Sequence, residues 1–241
     1  VLRSPSHSAI CKKLLDDFKK LIIPGITHWQ SPMYFVYFPA NNSEPSVLAE
    51  FLTAALGVQG MKWITSPAAT ELESQMMVWL QQMMNLPAEW KGVIQDSASV
   101  STLCAILASR ERATGGCANQ RGAGNDRLRV YCSTEAHSSI EKAVRIAGLG
   151  SDNLVKIGVD ENLRMIPHKL ETAIDDDLSK GFKPMCVVAA LGTTGTCAID
   201  PIDEIGRIAE IYKLWYHIDA AFAGSALVLP EKEFVAMPLN K

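Results

Sequence analysis

Apolar residues recur with helical spacing along much of the first half of the chain. The segment 7–23 has this spacing and ends at Pro24-Gly25, a pair that stops a helix. The same spacing returns from Ser46 to Leu56 and from Ser66 to Met84. The last of these helices has one apolar face, which predicts packing into a core or against a partner subunit: Leu72, Met76, Trp79, Leu80 and Met83.

The segment between the first two helices has a different pattern. Residues 26–45 are rich in aromatic side chains and are interrupted by Pro32, Pro39 and Pro45, so they are predicted to be extended and irregular. Aromatic residues in such a loop belong more often to a core or an interface than to a ligand site. The pattern alone leaves both interpretations open.

Short apolar runs alternate with helical segments from about residue 92 to residue 226. This alternation predicts a mostly parallel sheet with helices on both faces. The expected strands are the run that starts at Gly92 and the segments 129–134, 154–158, 185–191 and 214–218. Because the carboxyl ends of parallel strands share one edge, the polar residues that follow the strands are expected to gather there: Ser97–Ser99, His137, Thr193-Thr194 and Asp219.

Asp219 is the most informative of these residues. It ends a strand and opens a run of small residues that extends to Ala226, so a flat ligand could approach the backbone beside a carboxylate. Two other interpretations are a helix cap and a magnesium-binding acid. The magnesium interpretation requires a GxxxxGK[ST] phosphate loop, which the sequence lacks. The five histidines are scattered, so no metal site is predicted.

Residues 97–99 begin a predicted helix, and His137 lies at a strand-to-helix turn. Free backbone N–H groups and the helix dipole make such a helix start favourable for a phosphate. A serine at this position is also a common helix cap, and this segment alone favours the cap.

Composition excludes some partners. The chain has 241 residues, of which 48% are hydrophobic, and its formal charge of −3 gives no basic excess for nucleic acid. No apolar stretch approaches the ~20 residues of a membrane span, and no signal peptide is expected. The six cysteines form no CxxC pair, which indicates free thiols in a reducing compartment and predicts a cytoplasmic protein. Because the chain does not start with Met, we expect it to be a piece of something longer.

Seven motifs, taken in order, resemble those of the group II pyridoxal-phosphate decarboxylases, most closely the aromatic L-amino acid decarboxylases. The resemblance covers roughly residues 7–231. The motifs are THWQSP (27–32), YFP (37–39), SPAATELE (66–73), GVIQDSAS (92–99), EAHSSIEKA (135–143), GTTGT (192–196) and HIDAAFAGSA (217–226).

The resemblance implies the large domain of the fold type I (aspartate aminotransferase-like) enzymes, an α/β fold with a mostly parallel sheet, here incomplete. It implies an N-terminal helix and substrate-pocket segment at 1–45, a partial cofactor-binding domain at 46–231, an unassigned tail at 232–241 and no C-terminal small domain. It also implies a homodimer that acts on an aromatic L-amino acid with pyridoxal 5'-phosphate as cofactor.

The resemblance further assigns roles to residues of this chain. His137 stacks on the cofactor ring, Asp219 pairs with the ring nitrogen, and both are candidate catalytic residues. Further cofactor contacts are Ala98, Ser99, Thr194 and Ala221. The substrate pocket is implied to contain Trp29, Tyr37, Phe38 and Pro39, with Met61 reaching the pocket of the other subunit.

The sequence departs from the family pattern at three places. Ala40 and Phe222 stand where the family usually has a hydroxyl residue and often has Tyr, respectively. Lys241 follows Asn240 instead of His, so it is not expected to be the lysine that bonds to the cofactor, and the chain as given is expected to be inactive. Three alternatives therefore stay open: a non-catalytic protein or dimerisation partner, an acidic amino acid decarboxylase, and an aldehyde-forming relative.

Overall fold

The structure is a computed structural model that describes residues 7–38, 42–122, 124 and 127–232. The chain divides into two compact units, Val1–Ser66 and Pro67–Lys241. Lys241 lies outside the described residues, as does Ala40.

The described residues of the first unit form two α-helices. α1 (His7–Asp17) continues into a π-helical turn (Phe18–Ile22) and a short 3-10 turn (Ile23–Gly25), and α2 spans Glu44–Leu56. The Ser43 hydroxyl accepts a hydrogen bond from the N–H of Ser46 at 3.3 Å and so caps α2. Both helices lie where the apolar spacing predicts them.

Residues 26–38 form a series of turns, so the predicted irregular character is confirmed, while the prediction that the segment is extended is wrong. Trp29 stacks with Tyr34 at a centroid distance of 5.3 Å and with Tyr37 at 5.5 Å. Tyr37 has a positive φ of 60°, a strained conformation for a residue with a side chain. The aromatic rings of this segment therefore pack on one another.

The second unit is built around a four-stranded sheet. Its elements in chain order are α3 (Pro67–Met83), α4 (Ala98–Thr114), α5 (Ala118–Arg121), β1 (Leu128–Ser133), α6 (Ser139–Ile146), β2 (Leu154–Ile157), α7 (Pro167–Ser179), β3 (Lys183–Ala190), α8 (Ile202–Ile211) and β4 (Trp215–Asp219). The strand order is β2-β1-β3-β4, and every pair is parallel. This confirms the predicted parallel sheet with flanking helices.

Each face of the sheet has its own apolar core. Tyr131 of β1 and Val187 of β3 pack with Leu170 of α7 and Ile205 of α8 on one face. Residues of β1 and β3 one position away face the opposite side, because side chains alternate along a strand, and pack with α4 and α6: Val130, Cys132, Cys186 and Val188. The helices thus cover both faces, as expected for parallel sheets.

Two hydrogen bonds give the direction of α4. The Ser109 hydroxyl donates to the carbonyl of Met185 at 3.4 Å, and the Lys183 ammonium donates to the carbonyl of Ala113. The last turns of α4 therefore lie beside the amino end of β3. Because α4 runs antiparallel to β3, its first turn lies toward the carboxyl edge of the sheet.

The apolar run that starts at Gly92 is not a strand, so this part of the prediction is wrong. Val93 and Ile94 are 66% and 59% exposed, and neither pairs with the sheet. The N–H of Ile94 donates instead to the Glu73 side chain at 2.8 Å. This bond ties the segment to α3, so a side chain replaces the ladder that a strand would need.

Candidate functional site

Asp219 is the last residue of β4 and lies on the face of the sheet that α4 and α6 cover. Trp215, four residues earlier, packs against that core, whereas Tyr216 and Ile218 pack against the other. By strand alternation, His217 and Asp219 share the face of Trp215. The Asp219 carboxylate accepts a hydrogen bond from the N–H of Ala221 at 3.2 Å, and its main chain pairs with β3. Asp219 therefore stands at the carboxyl edge on a fixed backbone.

His217 lies two residues before Asp219 and has an unsatisfied buried nitrogen. Its Nε2 atom is buried without a hydrogen-bond partner. Burial lowers the pKa of the imidazole, and the nearby Asp219 carboxylate opposes this shift. The ring is therefore expected to be neutral. Because a buried polar atom without a partner is costly, Nε2 is a candidate for contact with a bound ligand.

The first turn of α4 provides backbone donors at the same edge. The Ser97 hydroxyl accepts from the N–H of Val100 at 3.3 Å, so Ser97 is the helix cap. Ala98 and Ser99 follow it as the first two helical residues, whose N–H groups precede the first intrahelical bonds. The cap interpretation thus holds for Ser97, while Ala98 and Ser99 have the geometry that suits an anion.

The loop after β3 closely approaches the residues that follow β4. Gly192 has a φ of +85°, and a Cβ built on it would lie 2.7 Å from the Cβ of Ala223. The Thr193 hydroxyl is within 2.6 Å of the Thr196 hydroxyl and accepts from the N–H of Ala198 at 3.1 Å. The loop is thereby held in shape, with Thr194 exposed at its turn.

Asp200 fixes the base of this loop through two hydrogen bonds to its carboxylate. Its buried carboxylate accepts hydrogen bonds from the N–H of Met165 at 2.7 Å and from that of Ala190 at 2.8 Å. Burial raises the pKa of Asp200, and the two N–H bonds oppose that rise. Asp200 therefore ties the end of β3 to the segment before α7.

His137 lies in the turn between β1 and α6, and its ring is exposed. Ring atom Nδ1 lies 2.9 Å from the Ser139 hydroxyl and accepts from the N–H of Ser139 at 3.2 Å. The turn after β1 therefore holds the ring at the carboxyl end of that strand.

The structure brings six of the predicted site residues to the carboxyl edge of one sheet: Ala98, Ser99, His137, Thr194, Asp219 and Ala221. Four of the predicted substrate residues belong to the first unit: Trp29, Tyr37, Phe38 and Met61. Pro39, the fifth, lies outside the described residues.

Sequence reasoning missed three residues that shape this edge: Gly192, Asp200 and His217. His217 carries a visible signal, since it stands two positions before Asp219 in a strand and so shares its face. The other two depend on contacts between segments that the sequence alone does not join.

The residues that the structure describes contain neither a candidate metal site nor a candidate membrane span. Among them, no group of three or more His, Cys, Asp or Glu side chains could hold a metal ion. Within the same ranges, no helix combines the length and hydropathy needed to cross a membrane.

Comparison with known proteins gives consistent matches. The sequence profile of the pyridoxal-dependent decarboxylase conserved domain matches residues 2–237. Tryptophan decarboxylase 2 of Oryza sativa subsp. japonica is 42% identical over 237 residues, which are 95% of this chain and 47% of that protein.

Solved structures give the same result. The tryptophan decarboxylase of Catharanthus roseus in complex with L-tryptophan superposes with a TM-score of 0.89 at 36% identity, over 99% of this chain and 52% of that one. The 4-hydroxyphenylacetaldehyde synthase of Rhodiola rosea gives a TM-score of 0.89 at 34% identity, over 100% of this chain and 52% of that one. The chain thus spans about half the length of these relatives.

Proposed function

The chain belongs to the pyridoxal-dependent decarboxylase family, and from that premise we propose that the whole protein removes CO2 from an aromatic L-amino acid to give the corresponding amine. We propose that the carboxyl edge of its sheet binds pyridoxal 5'-phosphate. The observation that carries the proposal is the position of Asp219, which ends β4 on the face that α4 covers, at the edge where α4 begins.

The residues of this edge fit such a group in three respects. A side chain at position 192 would collide with Ala223, so the bare backbone of Gly192 lets the loop after β3 pack closely against the residues that follow Asp219. Small residues follow Asp219 and leave room for a flat ring. The unpartnered Nε2 of His217 offers a polar contact on the same face of β4 as the Asp219 carboxylate. When bound, the cofactor supplies an electron sink for the carbanion that loss of CO2 leaves.

The chain's own residues would bind and orient that group. The N–H groups of Ala98 and Ser99 would hold the phosphate at the start of α4, where the helix dipole favours an anion. The Asp219 carboxylate would keep a proton on the ring nitrogen, because an opposite charge favours the protonated form. His137 would support the flat face of the ring, with Thr194 and Ala221 at its edges.

The proposed substrate is an aromatic amino acid, and we propose that the aromatic residues of the first unit bind it. Trp29, Tyr37 and Phe38 are exposed, and Met61 is exposed as well. An aromatic, apolar lining suits an indole or a phenol better than an acidic side chain. The tryptophan decarboxylases among the relatives support this choice.

We further propose that the protein is a homodimer in a reducing compartment such as the cytoplasm. The apolar face of α3 remains exposed, although its pattern predicts packing against a core or a partner. All six cysteines are free thiols.

The test is turnover per bound cofactor in the whole protein and in its Asp219→Ala and Asp219→Glu variants. Loss of one partner of a buried ion pair costs about 3–5 kcal/mol. If most of that is lost in the transition state, turnover by Asp219→Ala falls roughly 10²- to 10³-fold or more, at about 1.4 kcal/mol per tenfold. Asp219→Glu keeps the charge but misplaces it, so we expect it to retain more activity.

The outcomes separate the alternatives. If Asp219→Ala keeps its turnover and only the melting temperature falls, Asp219 is a structural cap and the proposal is wrong. Assays with L-tryptophan, L-tyrosine and L-glutamate distinguish aromatic from acidic substrates. Formation of an aldehyde in place of the amine, with O2 consumed as the oxidant, would identify an aldehyde synthase, as the Rhodiola rosea relative is named. A protein that binds no pyridoxal phosphate would be non-catalytic.

A further inference from the structure

The side chain of His137 is held by its neighbour Ser139 through two contacts to the same ring atom. The backbone N–H of Ser139 donates to Nδ1 of His137 at 3.2 Å. The hydroxyl oxygen of Ser139 lies 2.9 Å from that same nitrogen. One ring nitrogen thus faces two potential donors from a single residue.

These contacts decide which ring nitrogen carries the proton. A backbone N–H can only donate, so Nδ1 must present its lone pair. The Ser139 hydroxyl then has to donate as well, because Nδ1 carries no hydrogen that the hydroxyl oxygen could accept. The proton of the neutral ring is left on Nε2. A proton on Nδ1 would point at the N–H of Ser139 and break that contact, and the Ser139 hydroxyl would have to accept instead of donate.

We infer that Ser139 is a positioning residue, which fixes the orientation of the His137 ring and its tautomer, with the hydrogen on Nε2. His137 therefore presents a hydrogen-bond donor, and no base, on the side of the ring away from Ser139.

The surroundings of Ser139 explain why the contact is firm. Ser139 is the first residue of α6 and is only 4% exposed. Ser138 precedes it at the cap position, but the Ser138 side chain makes no capping hydrogen bond. The His137 ring supplies an acceptor to a helix start whose own cap residue supplies none. The backbone also forms a turn there, since the N–H of Ile140 donates to the carbonyl of His137 at 3.1 Å.

The consequence for the site rests on the proposed function, in which His137 lies against the cofactor ring. A ring fixed at Nδ1 cannot turn about its side-chain bonds without breaking both Ser139 contacts. Ser139 then acts on the reaction through His137, and any hydrogen bond from His137 to a bound molecule leaves from Nε2.

Nitrogen-15 NMR of the wild-type protein tests the inference without any cofactor. At about pH 7.5, in the range where a neutral imidazole can be observed, Nδ1 of His137 should appear unprotonated and Nε2 protonated. A coupling across the hydrogen bond should join the Ser139 amide nitrogen to Nδ1. A protonated Nδ1, or an unprotonated Nδ1 without that coupling, would overturn the inference.

Two serine variants provide the matched comparison. Ser139→Ala removes the hydroxyl donor and keeps the N–H, so we expect the Nδ1 resonance of His137 to shift and the coupling to weaken. Ser138→Ala, an exposed neighbour, should change neither. Equal spectra for Ser139→Ala and wild type would show that the hydroxyl does not hold the ring. If Ser139→Ala does not fold, the wild-type measurement still decides.

Cofactor titration keeps this inference separate from the proposed function. With one hydrogen bond lost, Ser139→Ala should bind pyridoxal phosphate about two- to ten-fold more weakly than wild type, while Ser138→Ala should match wild type. If the wild-type protein binds no pyridoxal phosphate, the proposed function fails while the NMR result stands. If Ser139→Ala shows the altered Nδ1 signal with unchanged affinity, Ser139 positions the ring only to cap α6, and its role in the site is refuted.

Discussion

Two regions of this protein carry amphipathic helices, but only one of them buries its apolar residues. None of the described residues from 9 to 101 is buried, although α2 and α3 both have the periodicity of packed helices. From Thr102 onward, the sheet and its helices hold side chains with no exposure at all, among them Tyr131, Leu170 and Val187.

The difference teaches what periodicity can and cannot predict. Apolar residues at helical spacing determine where a helix forms and which face is apolar. They do not determine what covers that face. The sheet solves this problem for α4, α6, α7 and α8 because each of its faces offers an apolar surface. The apolar face of α3 is not covered by this sheet, and the homodimer proposed above would supply the missing surface.

The largest expected effect separates the two regions directly. Leu170→Ala leaves a cavity in the core and should lower the free energy of unfolding by about 2–5 kcal/mol, because Leu170 is 0% exposed. Leu72→Ala makes the same chemical change on α3, where Leu72 is 61% exposed, and should change it by about 0.5 kcal/mol or less. Urea unfolding at protein concentrations below the dimer dissociation constant measures both. Equal losses would mean that α3 is covered within one chain.

The second effect tests how tightly the site edge is built. Gly192→Ala puts a Cβ 2.7 Å from that of Ala223 at a φ of +85°, so strain and overpacking together should cost about 2–4 kcal/mol. Gly181→Ala is the matched control, since its φ is +73° but the nearest atom is 3.9 Å away. It should cost only the strain of about 1–2 kcal/mol.

Urea unfolding and cofactor titration of the two glycine variants complete this test. Gly192→Ala should also weaken pyridoxal phosphate binding, while Gly181→Ala should not. If both variants lose the same free energy of unfolding, the loop after β3 can shift to accommodate the added Cβ at position 192.

The third effect concerns the exposed region. Trp79 lies on the apolar face of α3 and is 49% exposed. Central aromatic residues of an interface often contribute 2 kcal/mol or more, so Trp79→Ala should raise the dimer dissociation constant roughly 30-fold, at about 1.4 kcal/mol per tenfold. Light scattering over a concentration series measures it. A wild-type protein that is monomeric and fully active at micromolar concentration would refute the dimer.

The parts of the fold that the sequence predicted well are those that depend on local pattern. The positions of β1 to β4 follow from short apolar runs, and the presence of helices between them follows from helical spacing within single segments. The gathering of His137, Thr194 and Asp219 at one edge follows from the rule for parallel strands. Local information was sufficient because the same side chains that set the period also form the core.

The parts that failed depend on contacts between distant segments. Val93 and Ile94 are apolar residues of the kind found in strands. The N–H of Ile94, however, donates to the Glu73 side chain and not to a neighbouring strand. The bare backbone at Gly192 is explained only by Ala223, which lies on another loop. The ring position of His137 depends on a rotamer, which the sequence does not encode in any pattern of apolar and polar residues.

The smallest expected effect is a difference in pH dependence that reports on His217. Burial lowers the pKa of His217 below its ordinary value near 6.5. In the window between the two values the unfolded chain binds a proton that the folded chain does not. The free energy of unfolding should therefore fall as the pH falls through about 6.5, by at most about 1.4 kcal/mol per pH unit.

His217→Gln isolates this contribution because it keeps a polar side chain but cannot titrate. The raised pKa of Asp200 acts in the opposite direction, since the folded chain then holds the extra proton, and it cancels when the variant is compared with wild type. Urea unfolding between about pH 5 and pH 7.5 should show a steeper loss for wild type than for His217→Gln. A steeper loss for the variant would mean that His217 is charged in the folded protein and paired with Asp219. In that case the acid at the sheet edge already has a cationic partner, and its proposed role toward the cofactor would fail with it.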